Sequence, residues 1–311
     1  MKGPVVVLGS TGQVGLFAIS CLLEAGRQVW ALTRKTPGES RTAVPGLERF
    51  DLAGLSAALD GRDGHARADC DLLSCGPAGL ALEVLNLRFK RGSGRWGRAV
   101  VIGTTSTESK NDSPDARERA TIEHIRTALA AIRQRCGDAE TPLTILNPTL
   151  IYGCGMDQNL SRVYRWIMRY GFAPISATAT GRRQPVHVGD LAATAVRALE
   201  LQPGPRLETA VCGGTTLEYR EMIGMLFDAL GRNRRFLNLP APTFPLVAAL
   251  SRTIPGSMRV NSEMLRRQSR DLVFDDQVAR DRLNHDPRPY SPGRADFEMP
   301  IPIERIRRAL G

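Results

Sequence analysis

The sequence predicts an α/β fold, a doubly wound parallel sheet with a smaller C-terminal substrate lobe, and two observations lead to it. The first is the stretch PVVVLGSTGQVG at residues 4–15, where an apolar run is followed by spaced glycines and a helical pattern. The second is the alternation of short apolar runs with helical patterns over the first half of the chain. Such runs suit strands buried on both faces, and their alternation with helices is typical of parallel sheets.

The glycines separate a predicted strand at residues 5–8 from a predicted helix that ends at Gly26. In a Rossmann turn of this kind, the first glycine allows the tight bend, the second admits a pyrophosphate and the third lets the helix pack closely. The helix N-terminus adds free N–H groups for the anion. A turn that merely tolerates glycine is the alternative, and the strand before it favours a dinucleotide site. The residues predicted to bind the cofactor here are Gly9, Ser10, Thr11, Gly12, Gln13, Val14 and Gly15.

The second predicted strand, residues 28–33, ends in Arg34 and Lys35, with no acidic residue before Glu39. An acid at this position would bind the ribose 2′-hydroxyl of NAD, whereas a basic residue accommodates the 2′-phosphate of NADP. NADP is therefore the predicted cofactor, in preference to NAD. The alternative for Arg34 is a solvated loop residue.

Four segments along the chain resemble, in the same order, the motifs of one protein family. These segments are GSTGQVG at 9–15, NPTLIYG at 147–153, GRRQPVHVGDLAATAVRALE at 181–200 and LNHDPRPYSPG at 283–293. They resemble the extended or atypical branch of the short-chain dehydrogenase/reductase superfamily, the nucleotide-sugar epimerase/dehydratase group. The resemblance covers essentially the whole chain.

The resemblance implies a division of the chain into two parts. Residues 1–153 and 181–215 would form the NAD(P)-binding domain, and residues 154–180 and 216–311 a discontinuous substrate-binding lobe. It also implies further cofactor contacts at the strand ends: Asp51, Leu52, Cys75, Gly76, Thr104, Asn147 and Pro148. The implied substrate is an anionic small molecule such as a nucleotide sugar, with Tyr152, Arg182, Arg183 and His187 as its contacts.

The acid/base pair of the family is missing. Family members that transfer hydride use Tyr-x-x-x-Lys on the helix after the fifth strand, because a neighbouring ammonium lowers the pKa of the tyrosine. The predicted helix at residues 113–135, capped by Ser113, contains neither residue type, and Asp115 and Arg119 align with those positions. The remaining candidates for catalysis are Thr105, Ser106, Lys110 and Tyr152.

Composition narrows the remaining options. The 311 residues carry a net charge of +10, almost wholly from arginine. Some arginines form short clusters, and since these have no interleaved aromatics, solvated faces are favoured over a nucleic-acid site. The six cysteines form no CxxC pair, so no metal site is predicted. No long apolar segment or signal peptide is apparent, which predicts a cytoplasmic location without a membrane span. The family resemblance also allows a homodimer.

Two functions stay open at this stage. The chain is either an NADP-dependent epimerase, dehydratase or reductase with non-standard acid/base residues, or a non-catalytic NADP(H)-binding protein that serves as a sensor, assembly factor or scaffold. The full-length resemblance favours the enzyme, and the missing Tyr/Lys pair favours the binding protein. Fold alone does not decide between them.

Overall fold

A computed structural model describes residues 3–34, 43–61, 70–89, 96–109, 113–202, 204, 206–253 and 262–311. Its central feature is a seven-stranded sheet in which every neighbouring pair is parallel. The strand order is β11-β6-β5-β4-β1-β2-β3. These strands are β1 (Val5–Leu8), β2 (Val29–Leu32), β3 (Leu47–Phe50), β4 (Asp71–Ser74), β5 (Ala99–Ile102), β6 (Leu143–Pro148) and β11 (Leu207–Val211).

The strand order confirms the predicted doubly wound α/β class. The order in which successive strands are added to the sheet reverses at β1, with β2 and β3 on one side of it and β4 to β6 on the other. Open sheets of this type bind ligands at the carboxyl ends of the strands next to that reversal. The glycine turn follows β1 directly, so the sheet topology puts it at the expected position.

Helices cover both faces of the sheet because the strand residues alternate between two cores. Val5 and Val7 belong to one core, and Val6 and Leu8 to the other. The first core is covered by α1 (Gln13–Glu24), α7 (Val188–Leu199), α11 (Gln277–Leu283) and α12 (Ile301–Leu310). The second is covered by α2 (Leu52–Leu59), α3 (Ala78–Phe89) and α5 (Ala116–Asp138). The C-terminal helix α12 thus packs against α1. The predicted domain boundaries stay predictions.

A third core lies outside the sheet and forms the smaller lobe. Its buried members include Tyr164, Phe227 and Phe244. The helices here are α6 (Leu160–Tyr170), α8 (Tyr219–Ala229), α9 (Phe244–Thr253) and α10 (Ser262–Arg266), and α4 (Ser106–Ser109) follows β5. Short strand pairs connect the parts: β7 (Ile151–Tyr152) with β10 (Val186–His187), β8 (Ala173–Ser176) with β13 (Phe236–Leu239), and β9 (Arg182–Arg183) with β12 (Leu217–Glu218).

Candidate functional site

The glycine turn is held by contacts that only glycine permits. Gly9 has a φ of +65°, and a Cβ there would lie 2.6 Å from the backbone carbon of Cys75. A Cβ on Gly15 would lie 2.2 Å from the carbonyl oxygen of Gly9. Both glycines are therefore required by the packing of the turn itself.

Gly12 is different, because a Cβ there would meet a single atom, the Gly9 carbonyl oxygen, at 3.2 Å. Gly12 is the N-cap of α1, no side chain caps this helix, and no acidic residue lies in its first turn. The first-turn N–H groups therefore remain for an anion. Ser10 donates a hydrogen bond to the Leu32 carbonyl oxygen at 2.7 Å, which fixes the turn against β2.

Gln13 supplies an observation that fits a bound ligand. Its Oε1 atom is buried and accepts no hydrogen bond from the described residues, while its side chain lines the cavity next to the turn. A buried acceptor without a donor is costly, and a ligand with N–H or O–H groups would satisfy it. Together with the free N–H groups of α1, this makes the turn a fitting site for a dinucleotide.

The other predicted cofactor residues lie at the strand ends beside the turn. Arg34 is exposed just after β2, and Lys35 lies outside the described residues. Asp51 is the N-cap of α2 and accepts a hydrogen bond from the Gly54 N–H at 2.7 Å, and Leu52 begins that helix. The adenine role predicted for Asp51 stays a prediction.

The turn after β4 packs directly on the glycine turn. The Cys75 N–H donates to the Leu8 carbonyl oxygen at 2.9 Å, and a Cβ on Gly76 would lie 3.2 Å from the Gly9 nitrogen. Burial raises the pKa of the Cys75 thiol to about 12, so the thiol stays protonated and unreactive near neutral pH.

The ends of β5 and β6 are tied together by polar contacts. The Thr104 N–H donates to Asn147 Oδ1 at 3.1 Å, and the Thr105 hydroxyl donates to the Pro148 carbonyl oxygen at 3.0 Å. The Thr105 proton is therefore used within the protein. Ser106 lines the cavity, and its hydroxyl has no hydrogen-bond partner among the described residues.

The N-terminus of α5 contains Asp115 and Arg119, the two positions aligned from the sequence with the acid/base pair, and both make contacts within the protein. Asp115 rather than Ser113 is the N-cap, and it accepts a hydrogen bond from the Arg117 N–H at 2.9 Å. Arg119 is exposed and donates to the Ser113 carbonyl oxygen at 2.7 Å. Neither Asp115 nor Arg119 is among the described residues that line the cavity. Lys110 lies outside the described residues.

Tyr152 and His187 form a buried aromatic pair behind the cavity. Tyr152 is 1% exposed, its ring centroid is 5.2 Å from that of His187, and burial is the main cause that raises its pKa well above its ordinary value. His187 Nδ1 accepts a hydrogen bond from the Gly189 N–H at 3.0 Å, and Nε2 lies 3.4 Å from Asp296 Oδ1. Neither residue is among the described ones that line the cavity.

A cavity of about 400 Å³ lies between the carboxyl edge of the sheet and the smaller lobe. Gln13, Thr104 and Ser106 line it from the sheet, and Asp157 lines it from the lobe. Both oxygens of the buried Asp157 carboxylate accept hydrogen bonds from the Ser161 N–H, and the Ser161 hydroxyl also contacts it. That carboxylate is satisfied by the start of α6.

Of the two predicted substrate arginines, Arg183 lines the cavity, and Arg182 is not among its described lining residues. Arg182 is exposed and makes a salt bridge with Asp271 at 2.7 Å. The guanidinium of Arg183 is buried and donates to three backbone carbonyl oxygens, those of Arg182, Arg267 and Arg270. No carboxylate among the described residues forms a salt bridge with it.

Three further lining residues were missed by sequence reasoning: Tyr219, Arg267 and Gln268. The Arg183 guanidinium lies 5.5 Å from the ring centroid of Tyr219. Arg267 donates to both carboxylate oxygens of Glu118 at 3.0 Å, which ties the lobe to α5. No sequence motif singles out Tyr219, and nothing in the sequence joins Glu118 to a residue so far along the chain.

The doubly wound fold is similar to that of several solved structures. One is MoeE5 in complex with UDP-glucose and NAD, with a TM-score of 0.65, 18% identity, and coverage of 99% of this chain and 100% of that chain. Another is a Bacillus cereus UDP-glucuronic acid 4-epimerase with UDP-glucuronic acid and NAD, with a TM-score of 0.65, 14% identity, and coverage of 100% and 99%. The predicted resemblance is thus confirmed as a likeness of fold.

A curated relative matches part of the chain. It is the Arabidopsis thaliana mitochondrial NADH dehydrogenase [ubiquinone] 1 alpha subcomplex subunit 9, which is 29% identical over 123 residues. That match spans 39% of this chain and 30% of the relative. No protein-family model matches the chain. No described helix has the length and apolar character that a membrane span requires.

Proposed function

We propose that this protein binds NADP(H) at the glycine turn and an anionic small molecule in the adjoining cavity, without the proton transfer that a Tyr/Lys pair performs. The observation that carries the proposal is the cavity itself, which extends from Gln13 beside the glycine turn to the buried cation of Arg183. The NAD and UDP-sugars in the neighbours' structures agree with a site of this kind.

The residues of the turn would hold the cofactor in two ways. The N–H groups at the start of α1 would bind the pyrophosphate, and the missing Cβ of Gly12 would let it approach. Arg34 is exposed at the end of β2, where a guanidinium would pair with the 2′-phosphate of NADP. When bound, NADP(H) supplies hydride transfer.

The anionic character of the ligand follows from the charges around the cavity. Arg183 carries five N–H donors, of which three bond carbonyl oxygens, so its Nε–H and one N–H of Nη2 have no hydrogen-bond partner among the described residues. A phosphate or carboxylate would satisfy these donors and compensate the buried charge. A nucleotide sugar fits this requirement, because it carries a diphosphate.

The absence of proton transfer rests on how the candidate groups are used. The Thr105 proton is donated to Pro148, Tyr152 is buried behind the cavity, and Asp115 caps α5. A role as an NADP(H) sensor or assembly factor agrees with this arrangement. The matched relative is itself named as a subunit of a larger complex.

A second candidate function is an epimerase, dehydratase or reductase with a variant acid/base set. Ser106 favours it, because this hydroxyl lines the cavity and has no hydrogen-bond partner among the described residues. A serine or threonine at this strand end would orient a substrate oxygen, but it requires a separate proton donor.

Calorimetric titration of NADP⁺ and NAD⁺ tests the cofactor proposal. Wild type is expected to bind NADP⁺ about 10-fold more tightly, as a charge-assisted hydrogen bond predicts. Arg34→Ala should remove that preference. Arg305→Ala, which changes an exposed arginine of α12, is the matched control and should keep it. Equal affinities in wild type would contradict the proposal.

Two further predictions from the sequence belong to the proposal, a cytoplasmic location and a homodimer. Sedimentation of the purified protein tests the second directly. A monomer at micromolar concentrations would contradict it.

A further inference from the structure

Tyr219 is the one tyrosine among the described residues that line the cavity. It begins α8, and its backbone N–H donates to the Gly181 carbonyl oxygen at 2.9 Å. Its ring lies against the guanidinium of Arg183, with 5.5 Å between the guanidinium carbon and the ring centroid. The phenol and the buried cation therefore occupy the same wall of the cavity.

The hydrogen bonds around Gln268 determine what the phenol can do. Gln268 is buried, and its Oε1 accepts a hydrogen bond from the Ser176 N–H at 2.7 Å. Because that oxygen already accepts a bond, Gln268 can offer the Tyr219 hydroxyl its amide N–H groups, which agrees with its lowering effect on the phenol pKa. No acceptor of the Tyr219 proton is found among the described residues. That proton is available to a ligand in the cavity.

We infer that Tyr219 is the hydrogen-bond donor with which the cavity recognises an oxyanion of its ligand, next to the unused N–H groups of Arg183. This inference rests on the proposed function and names its ligand class: a molecule with a phosphate or carboxylate group within reach of both residues. Since a neutral donor beside a cation binds anions and repels cations, the wall selects against neutral sugars and against amines.

The protonation state of the phenol agrees with a donor role. Burial raises the pKa of Tyr219 to about 12, although Arg183 and the Gln268 hydrogen bond act in the opposite direction. The phenol therefore keeps its proton throughout the neutral range. Ligand binding through Tyr219 should be independent of pH between about 6.5 and 9, because the phenol titrates well above that range.

The test is calorimetric titration of the NADPH-saturated protein with UDP, with uridine and glucuronate as separate probes. UDP carries the diphosphate, uridine lacks it, and glucuronate carries a carboxylate alone. Tyr219→Phe should weaken UDP binding by about 10-fold or more, as expected for loss of a hydrogen bond to a charged group. Its NADPH affinity should equal that of wild type. Tyr170→Phe, on the exposed end of α6, is the matched control and should change neither affinity.

A second variant tests the inference independently, in case Tyr219→Phe does not fold. Gln268→Glu keeps the acceptor for the Ser176 N–H but turns the group facing Tyr219 into an acceptor, which would take the phenol proton away from the ligand. It should weaken UDP binding as well. If wild type binds glucuronate instead of UDP and Tyr219→Phe weakens that binding, the inference is supported with a carboxylate as the recognised oxyanion. Unchanged affinities in both variants, or no binding of either anion by wild type, would overturn it. If wild type does not bind NADPH, the proposed function is contradicted, whatever the result for Tyr219.

Discussion

Two helix N-termini at the carboxyl edge of the sheet differ in whether their backbone N–H groups are capped by a side chain. The start of α1 has no capping side chain and no acid in its first turn, whereas the start of α5 is capped by Asp115 and carries Glu118. Free N–H groups at a helix start attract anions, and a carboxylate that satisfies them removes this attraction. The first terminus can therefore hold a pyrophosphate, while the second is closed by its own side chains.

Glu118, in the first turn of α5, also contacts the smaller lobe. Glu118 accepts two hydrogen bonds from Arg267, and the Ser113 hydroxyl donates to it at 2.8 Å. Glu118 thus connects α5 to the lobe, and no side chain caps the start of α1. Two helix starts in one fold can therefore differ in whether their N–H groups are left for a ligand or paired within the protein.

The largest expected effect on stability concerns the packing of the open terminus. Gly15→Ala should lower the free energy of unfolding by about 1–3 kcal/mol, because its Cβ would overlap the Gly9 carbonyl oxygen. Urea unfolding measures this. Gly137→Ala in α5 is the control, since a Cβ there meets nothing within 4 Å. It should instead raise stability by about 0.5–1 kcal/mol. A Gly15→Ala protein as stable as wild type would contradict the described turn.

A smaller effect is expected at the closed terminus. Asp115→Tyr combined with Arg119→Lys should cost about 1 kcal/mol of stability through the lost N-cap. We expect the double variant not to turn over UDP-glucose with NADP⁺, because these positions are not among the described residues that line the cavity. The absorbance of the reduced dinucleotide measures turnover. Asp115→Asn retains a capping side chain and is the matched control. Turnover in the double variant would show that α5 faces the substrate after all.

The cofactor half of the site was predictable because it is local in sequence. The β1 strand, the glycines and α1 lie within twenty-five residues, and short-range rules for strands and glycine turns describe them. The strand predicted at 28–33 is found as Val29–Leu32, and the helix predicted at 113–135 as Ala116–Asp138. The predicted Ser113 cap was wrong, because Asp115 follows Pro114 and is the residue that caps the helix.

The cavity wall was less predictable because tertiary contacts bring it together. Arg267 reaches Glu118 across 149 residues, and the Tyr219 ring at the start of α8 meets the Arg183 guanidinium. Burial likewise separates Arg183 from its neighbour Arg182, although the two are adjacent in sequence. Residue type marked both arginines as candidates, and only the strand pairing of β9 with β12 determines which one lies inward.

Binding of the dinucleotide at the open terminus of α1 is tested by a fluorescence titration of NADPH with wild type and Gly12→Val. Wild type should show saturable binding. Gly12→Val should lose affinity by about 100-fold or more, because its side chain would occupy the path of the pyrophosphate. Its melting temperature should stay within a few degrees of wild type, since a Cβ at Gly12 meets one backbone atom at 3.2 Å. Normal NADPH binding by a folded Gly12→Val protein, or no binding by wild type, would contradict the claim.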